Sequence, residues 1–208
     1  MSRRTYHHGN LREALIQAAL ELIGEKGHAG FTFADAARLA GVSPAAPYRH
    51  FRDRDALMAD VARLGFEQFE IALSRAWNGG APDPLSALAR LGRAYLAFAR
   101  TEPAYYSSMF EAGVPPESDA ALVQAGERVF AILRQAAGAL VARLPEPGRP
   151  PSLMIALHIW SLSHGVAALF GRGDRARRKL PMSPEDLLEA GVLVYLHGLG
   201  IGLPPAPG

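Results

Sequence analysis

The stretch FTFADAARLAGVSPAAPYRHFRDRDAL, residues 31–57, decides the fold. Near its start lie Thr32 and, three residues later, Asp35, a pair that resembles a capping box with aspartate in place of the usual glutamate. In a capping box each of the two side chains accepts a hydrogen bond from the backbone N–H of the other residue. The pair therefore predicts a short helix over residues 33–40.

A second short helix is predicted directly after a glycine turn at Gly41. Ser43 is a favourable N-cap and Pro44 a favourable first residue, so this helix is expected to run from Pro44 to about His50. Pro47 lies at about its fourth residue, where the missing N–H forfeits an intrahelical hydrogen bond, so a late start or a bend is expected. Two short helices joined by a glycine turn are typical of a helix-turn-helix.

A third helix precedes this pair and ends at Gly27. The apolar residues on one face of it are Leu11, Leu15, Ala18, Ala19, Leu22 and Ile23. The three helices need a small common core, which we predict from Phe33, Ala37, Ala40, Val42 and Phe51. An N-terminal helix-turn-helix domain is therefore predicted over residues 1–52.

The rest of the chain also carries helical patterning, and no alternating strand pattern appears in it. Helices separated by Pro- and Gly-rich breaks are predicted over 53–77, 83–101, 103–111, 117–144, 151–170 and 184–199. The predicted fold class is therefore all-α, with a C-terminal helical bundle that dimerises over residues 53–208.

Composition excludes several classes of protein. The 208 residues include no cysteine, which excludes disulfide scaffolds, thiolate metal sites and cysteine nucleophiles. His158 and His164 are six residues apart and point to different helix faces, so we expect no metal ion, and we expect no cofactor. No P-loop, Gly-x-Ser-x-Gly or His-Glu-x-x-His motif occurs, so the chain is predicted not to be an enzyme. The N-terminus lacks the apolar segment of a secretory signal, so a cytoplasmic location is expected.

The distribution of charge is more informative than the net charge of +2. Between Arg38 and Arg54 there are four arginines and one histidine against a single acid, Asp53. This basic patch overlaps the helix-turn-helix, as a DNA-binding surface would.

Residues 31–57 resemble the DNA-binding domain of the TetR family of bacterial regulators, including the Tyr-x-x-Phe ending of the recognition helix at Tyr48 and Phe51. The resemblance extends over roughly residues 9–60. It implies a dimeric, ligand-responsive regulator, most often a repressor, that binds a double-stranded DNA operator. Ligand would favour a state in which the two recognition helices no longer match successive major grooves.

The resemblance also implies which residues contact DNA. Ala45 and Ala46 lie where the family approaches base edges, and their methyl groups can touch thymine but cannot donate hydrogen bonds. Base reading then depends on Arg49, whose guanidinium suits a bidentate contact to guanine. The implied positioning contacts are Thr32, Tyr48, His50 and Arg54. The arm of Arg3, Arg4 and Tyr6 either reaches the minor groove or is a disordered terminus.

Trp160 and His164, one helical turn apart and followed by Gly165, resemble the WHG-type C-terminal domain of one branch of the same family. Either the pair contacts a ligand, or Trp160 packs in the core with His164 hydrogen-bonded beside it. The predicted ligand-binding residues, which also suit a plain core, are Tyr95, Phe98, Met109, Phe110, Phe130, Met154, Trp160 and His164. Because these helices hold few charges, the expected effector is small and largely apolar or aromatic.

The uncharged segment Ser152–Gly171 approaches the length of a membrane-spanning helix but contains two histidines and three serines. We therefore favour a buried helix of a bundle or dimer interface over a membrane span. Pairing this helix with the last one across a two-fold axis would form a homodimer. The predicted interface residues on the last helix are Leu187, Gly191, Val194, Tyr195 and Gly198.

Two rival classes stay open at this point. One is a helical enzyme or binding protein whose N-terminal domain no longer binds DNA, and a gel shift with genomic fragments discriminates it. The other is a membrane-associated helical protein that uses the segment Ser152–Gly171, which cell fractionation discriminates.

Overall fold

A computed structural model describes residues 11–113, 119–146, 148–171 and 181–201. These ranges contain eight α-helices and no strand, so the predicted all-α fold class is confirmed. The helices are α1 (Leu11–Lys26), α2 (Phe33–Leu39), α3 (Arg54–Trp77), α4 (Pro84–Thr101), α5 (Pro103–Phe110), α6 (Ala120–Val141), α7 (Ser152–Gly171) and α8 (Pro184–Gly198). The predicted arm of Arg3, Arg4 and Tyr6 lies outside the described residues.

The helix predicted from Pro44 to His50 is wrong in type and length. A single 3₁₀ turn, Ala46–Arg49, occupies this segment. Its backbone N–H groups bond three residues back, from Ala46 to the Ser43 carbonyl at 3.0 Å and from His50 to the Pro47 carbonyl at 2.9 Å. Pro47 has no N–H to donate to the Ser43 carbonyl, so the first α-helical hydrogen bond cannot form and the tighter turn replaces it.

The chain divides into two compact units, Met1–Phe66 with Glu102–Ala125, and Glu67–Thr101 with Gly126–Gly208. Helices α3 and α6 each contribute residues to both units. The two units are defined by contacts, whereas the boundary predicted between residues 52 and 53 marks the end of the DNA-binding domain. That boundary stays a prediction.

The first unit is built around α1, which packs against α2 and α5. The apolar face predicted for α1 is buried from Leu15 to Ile23. Of the predicted small core, Ala37, Ala40 and Phe51 are buried, whereas Phe33 and Val42 are half-buried. Phe31 and Pro47 are also buried, and their apolar surface completes the core.

A buried carboxylate joins α1 to α3 within this unit. Asp60 is 5% exposed, and its two oxygens lie 2.5 Å from Arg12 Nη2 and 2.7 Å from Arg63 Nη2. A buried charge without partners would be costly, so the two arginines make the carboxylate tolerable at this position.

The second unit packs α7 against both α4 and α8. The apolar face of α4 is buried, including Leu88, Leu91, Tyr95 and Phe98. Among the described residues, one helical segment, Ser152–Phe170, is long enough and apolar enough to cross a membrane by length and composition alone. Of its most apolar stretch, 33% is buried. The core helix of a water-soluble protein passes the same test, so this finding does not favour a membrane span.

Candidate functional site

The capping box predicted at the start of α2 is confirmed. The Thr32 Oγ1 atom accepts the Asp35 N–H at 3.1 Å, and the Asp35 carboxylate accepts the Thr32 N–H at 2.9 Å. The backbone hydrogen bond from Thr32 is the largest cause that lowers the pKa of Asp35. The N-terminus of α2 therefore already holds an anion, although Thr32 itself is exposed. Its contact with a DNA phosphate stays a prediction.

The 3₁₀ turn and the His50 that caps it hold four of the seven residues predicted to contact DNA. Its Pro47 is buried and fixes the turn to the core, whereas Tyr48, Arg49 and His50 are exposed. The Tyr48 ring is 63% exposed, and its plane stands at 85° to the Phe33 ring with 5.1 Å between centroids. The hydroxyl and two basic side chains of the turn therefore lie on one solvent-facing element.

The two alanines predicted near base edges differ in exposure. Ala45 is exposed and Ala46 is half-buried. Neither side chain can hydrogen-bond, so any base contact from them is restricted to a methyl group, as the sequence already indicated. Their approach to DNA stays a prediction.

Arg54 has a different environment from the exposed residues of the turn. Its side chain is 28% exposed, and its guanidinium donates to the carbonyl of Phe31, at 3.1 Å from Nε, and to the carbonyl of His28. The guanidinium also lies 4.7 Å from the centroid of the Phe31 ring. The side chain therefore ties the loop before α2 to the start of α3. The predicted phosphate contact is not tested by this geometry and stays a prediction.

Three of the predicted ligand-binding residues lie together in the second unit. The Tyr95 hydroxyl and His164 Nδ1 are 3.0 Å apart. Phe69 lies beside both Tyr95 and Phe98, with ring centroids 5.1 and 4.7 Å apart. Burial lowers the pKa of His164 and so favours its neutral imidazole, which has one donor and one acceptor nitrogen. We refer to Phe69, Tyr95, Phe98 and His164 as the aromatic cluster.

The other predicted ligand-binding residues belong to both units. Phe130 and Trp160 contact each other in the second unit, with centroids 5.4 Å apart. Met154 is 36% exposed. Met109 and Phe110 belong to the first unit, where Phe110 packs on Phe66 with 5.5 Å between centroids. The contact of these eight residues with a ligand stays a prediction.

A groove with a cavity of about 380 Å³ lies between α4, α7 and α8 of the second unit. None of the eight predicted ligand-binding residues lines it. Its apolar walls come from leucines and an isoleucine, and its rim carries arginines of α4 and glutamates of α8. No sequence pattern indicated it, since the lining residues come from three helices whose mutual placement no local pattern encodes.

The predicted dimer face is partly exposed. Val194 is 73% exposed and Gly198 is exposed, whereas Leu187, Gly191 and Tyr195 are half-buried. The Tyr195 hydroxyl lies 2.9 Å from Nδ1 of a histidine of α7 in the same chain. The large apolar side chains exposed on α7 and α8 are Leu153, Met154, Leu157, Leu169, Leu193 and Val194.

Two family models match the chain. Residues 15–61 match the model described as "Bacterial regulatory proteins, tetR family", and residues 88–195, more than half of the chain, match "Tetracyclin repressor-like, C-terminal domain". The chain belongs to the TetR family. This TetR-family protein is a DNA-binding regulator of transcription, and its family is not one of enzymes. The predictions of the family and of a non-enzymatic protein are therefore confirmed.

Two sequence relatives are transcriptional regulators. The HTH-type transcriptional regulator BetI of Rhizobium meliloti (strain 1021) is 40% identical over 52 residues, and the match spans only 25% of the TetR-family chain and 26% of BetI. The uncharacterized HTH-type transcriptional regulator YobS of Bacillus subtilis (strain 168) is 25% identical over 198 residues, which are 92% of this chain and 93% of YobS.

Two solved structures share the fold of this TetR-family protein. A protein of unknown function from Rhodococcus sp. RHA1 superimposes with a TM-score of 0.76 and 28% identity over 94% of this chain and 98% of the other. AibR, in complex with isovaleryl coenzyme A and operator DNA, superimposes with a TM-score of 0.67 and 17% identity over 88% of this chain and 97% of AibR.

Proposed function

We propose that this regulator is a cytoplasmic homodimeric repressor that binds a palindromic operator and releases it when a small, largely apolar or aromatic effector binds. The observation that carries the proposal is the 3₁₀ turn Ala46–Arg49, whose buried Pro47 leaves Tyr48, Arg49 and His50 on the exposed side. This element lies inside the range that matches the tetR-family model.

In the proposed DNA complex the exposed turn enters the major groove. Arg49 is the base-reading residue, because a guanidinium can donate two hydrogen bonds to the O6 and N7 atoms of guanine. Tyr48 and His50 donate to phosphates and set the register without selecting a sequence. Arg54 and Thr32 are weaker candidates for phosphate contacts, since their polar atoms already form hydrogen bonds within the chain.

Homodimerisation through α7 and α8 follows from the exposed apolar surface on these helices. Leu169 and Val194 are 72% and 73% exposed, so a monomer would leave this apolar surface in contact with water. A two-fold interface buries the same patch on both copies and predicts two equivalent half-sites in the operator. Val194 and Gly198 are the interface residues best supported by their exposure.

The effector is proposed to bind in the second unit beside the aromatic cluster, with Trp160 and Phe130 as further apolar contacts. The hydrogen bond between Tyr95 and His164 supports this position, since a neutral imidazole and a phenol are polar anchors that an uncharged ligand can use. Ligand-linked release is a shift of the population toward a state with lower operator affinity. AibR, which has the same fold, was crystallised with both an acyl coenzyme A and operator DNA, which supports ligand-linked DNA binding in general.

The experiment begins with selection of bound fragments from the source genome and a gel shift on the enriched sequence. We expect a discrete shift on the selected site, loss of that shift with an effector from an apolar compound library, and no shift on scrambled DNA. The variants Trp160→Phe and His164→Ala, checked for thermal stability, then locate the effector. If both variants fold, bind operator and respond as the parent does, the effector binds elsewhere. A protein that retards no genomic fragment specifically contradicts the proposed function.

A further inference from the structure

The groove between α4, α7 and α8 is not used by the proposed function. Its cavity of about 380 Å³ falls within the range of small-molecule pockets. Five of its lining side chains are apolar and at most 4% exposed: Leu88, Leu96, Ile159, Leu188 and Leu196. A floor of this kind favours an occupant with an apolar body.

Charged side chains on the rim already have polar partners within the protein. Arg93 of α4 and Glu189 of α8 are 3.5 Å apart, and their side chains are 53% and 45% exposed. The Arg90 guanidinium donates to the carbonyls of Ala76, at 3.1 Å, and Ala81. A charged occupant would have to displace one of these partners and lose its own hydration, whereas an uncharged occupant leaves them in place.

One polar side chain lies at the floor of the groove. Ser163 is 4% exposed and lines the cavity. Its hydroxyl donates to the Ile159 carbonyl at 2.9 Å, so the oxygen has lone pairs with which to accept a hydrogen bond. An occupant that reaches the floor can therefore donate one hydrogen bond to the Ser163 hydroxyl oxygen.

We propose that this groove is a binding site for an uncharged, mainly apolar small molecule that carries one hydrogen-bond donor, and that the site is separate from the aromatic cluster. The polar partners of the rim disfavour ligands with a net charge, the leucine floor holds the apolar body, and the Ser163 hydroxyl oxygen accepts a hydrogen bond from the ligand. The proposal concerns binding alone and holds whether or not an occupant changes operator affinity.

The test uses the full-length protein and two fluorescent probes with the same skeleton. N-phenyl-1-naphthylamine is uncharged and has one N–H, whereas 8-anilinonaphthalene-1-sulfonate adds a sulfonate. We expect saturable binding of the uncharged probe, with one site per chain that is retained in His164→Ala. We expect the sulfonate to bind at least about tenfold more weakly, since a buried anion would need a counter-charge that is already engaged.

Three variants locate the probe. Ala89 lines the groove and is half-buried, and Ala89→Phe fills the cavity and should reduce affinity about tenfold or more. Ala94, half-buried on the same helix but absent from the lining, gives the matched control Ala94→Phe, which should bind as the parent does. Ser163→Ala removes one acceptor without adding bulk and should weaken binding roughly two- to tenfold.

Each result decides the proposal. Binding that falls in Ala89→Phe and Ser163→Ala but not in Ala94→Phe supports it. If Ala89→Phe unfolds, as circular dichroism would reveal, Ser163→Ala alone decides it. Equal binding by the parent and Ser163→Ala, loss on His164→Ala instead, equal affinity for the sulfonate, or absence of saturable binding by the parent each overturn it.

Discussion

Replacing Arg54 with alanine removes a side chain that joins two segments of the first unit. The guanidinium donates to the carbonyls of Phe31 and His28 and lies over the Phe31 ring. The carbonyls come from the loop between α1 and α2, and the arginine is the first residue of α3. The substitution therefore leaves two carbonyl groups without their donor and frees the loop from α3.

The magnitude follows from these contacts. A hydrogen bond from a charged donor contributes roughly 1.5 to 3 kcal/mol to stability, and a half-buried cation–π contact adds about 0.5 to 1 kcal/mol. Because water can replace part of the loss at a side chain that is 28% exposed, we expect the free energy of unfolding to fall by about 2 to 3 kcal/mol. Urea unfolding followed by circular dichroism measures this fall. Arg54→Lys keeps the positive charge but lacks the planar guanidinium with its several N–H donors, so it should recover only part of the lost stability.

A DNA titration on the same variants separates the structural role from a phosphate contact. A phosphate contact predicts that Arg54→Ala reduces the slope of log affinity against log salt by about one. A purely structural arginine leaves the slope unchanged at temperatures where the variant is folded. Unchanged stability together with a reduced slope would refute the reasoning from the carbonyl contacts and establish the phosphate contact that the family resemblance implies.

Three further predictions concern DNA reading, assembly and pH. Arg49→Ala should cost about 1 to 3 kcal/mol on the selected operator and relax specificity at one base pair, as measured by competition binding. Equal losses on random DNA would instead make this arginine a phosphate contact. Leu187→Glu combined with Val194→Glu should yield monomers in analytical ultracentrifugation, whereas the matched Ile71→Glu, at a side chain 60% exposed on α3, should not. A dimer that persists would mean that other helices form the interface. Burial lowers the pKa of His164, so its folded-state pKa lies below the unfolded value of about 6.5. Its contribution to stability is therefore present above pH 6.5 and is lost as the pH falls toward the folded-state pKa. The melting temperature of His164→Asn should fall less steeply with decreasing pH below 6.5 than that of the parent. Parallel curves of melting temperature against pH would disprove the linkage.

Features that depend on residues close in sequence were predictable. The capping box at Thr32 and Asp35 needs only the right residue types three positions apart, and it formed as predicted. The effect of Pro47 was also visible in the sequence, because a missing N–H acts on the residue four positions earlier. Its size was underestimated, since the hydrogen bond that Pro47 forfeits is the first one of a very short segment, and a 3₁₀ turn results.

Features that depend on tertiary placement were not predictable. Arg54 was assigned from its sequence position, but its carbonyl partners lie 23 and 26 residues earlier in the chain. The groove beside Ser163 likewise needs three helices in register, and local periodicity contains no information on their spacing.

The short 3₁₀ turn at Ala46–Arg49 has a consequence for how many genes this regulator controls. Such a turn rises about 2 Å per residue, so four residues extend roughly 8 Å along the groove, little more than two base-pair steps of about 3.4 Å. In the proposed homodimer each half then inspects few positions, and a bacterial chromosome contains many near matches to a motif with so little information. The protein is therefore expected to occupy many similar sites of graded affinity, and its cellular concentration sets how many of them it regulates.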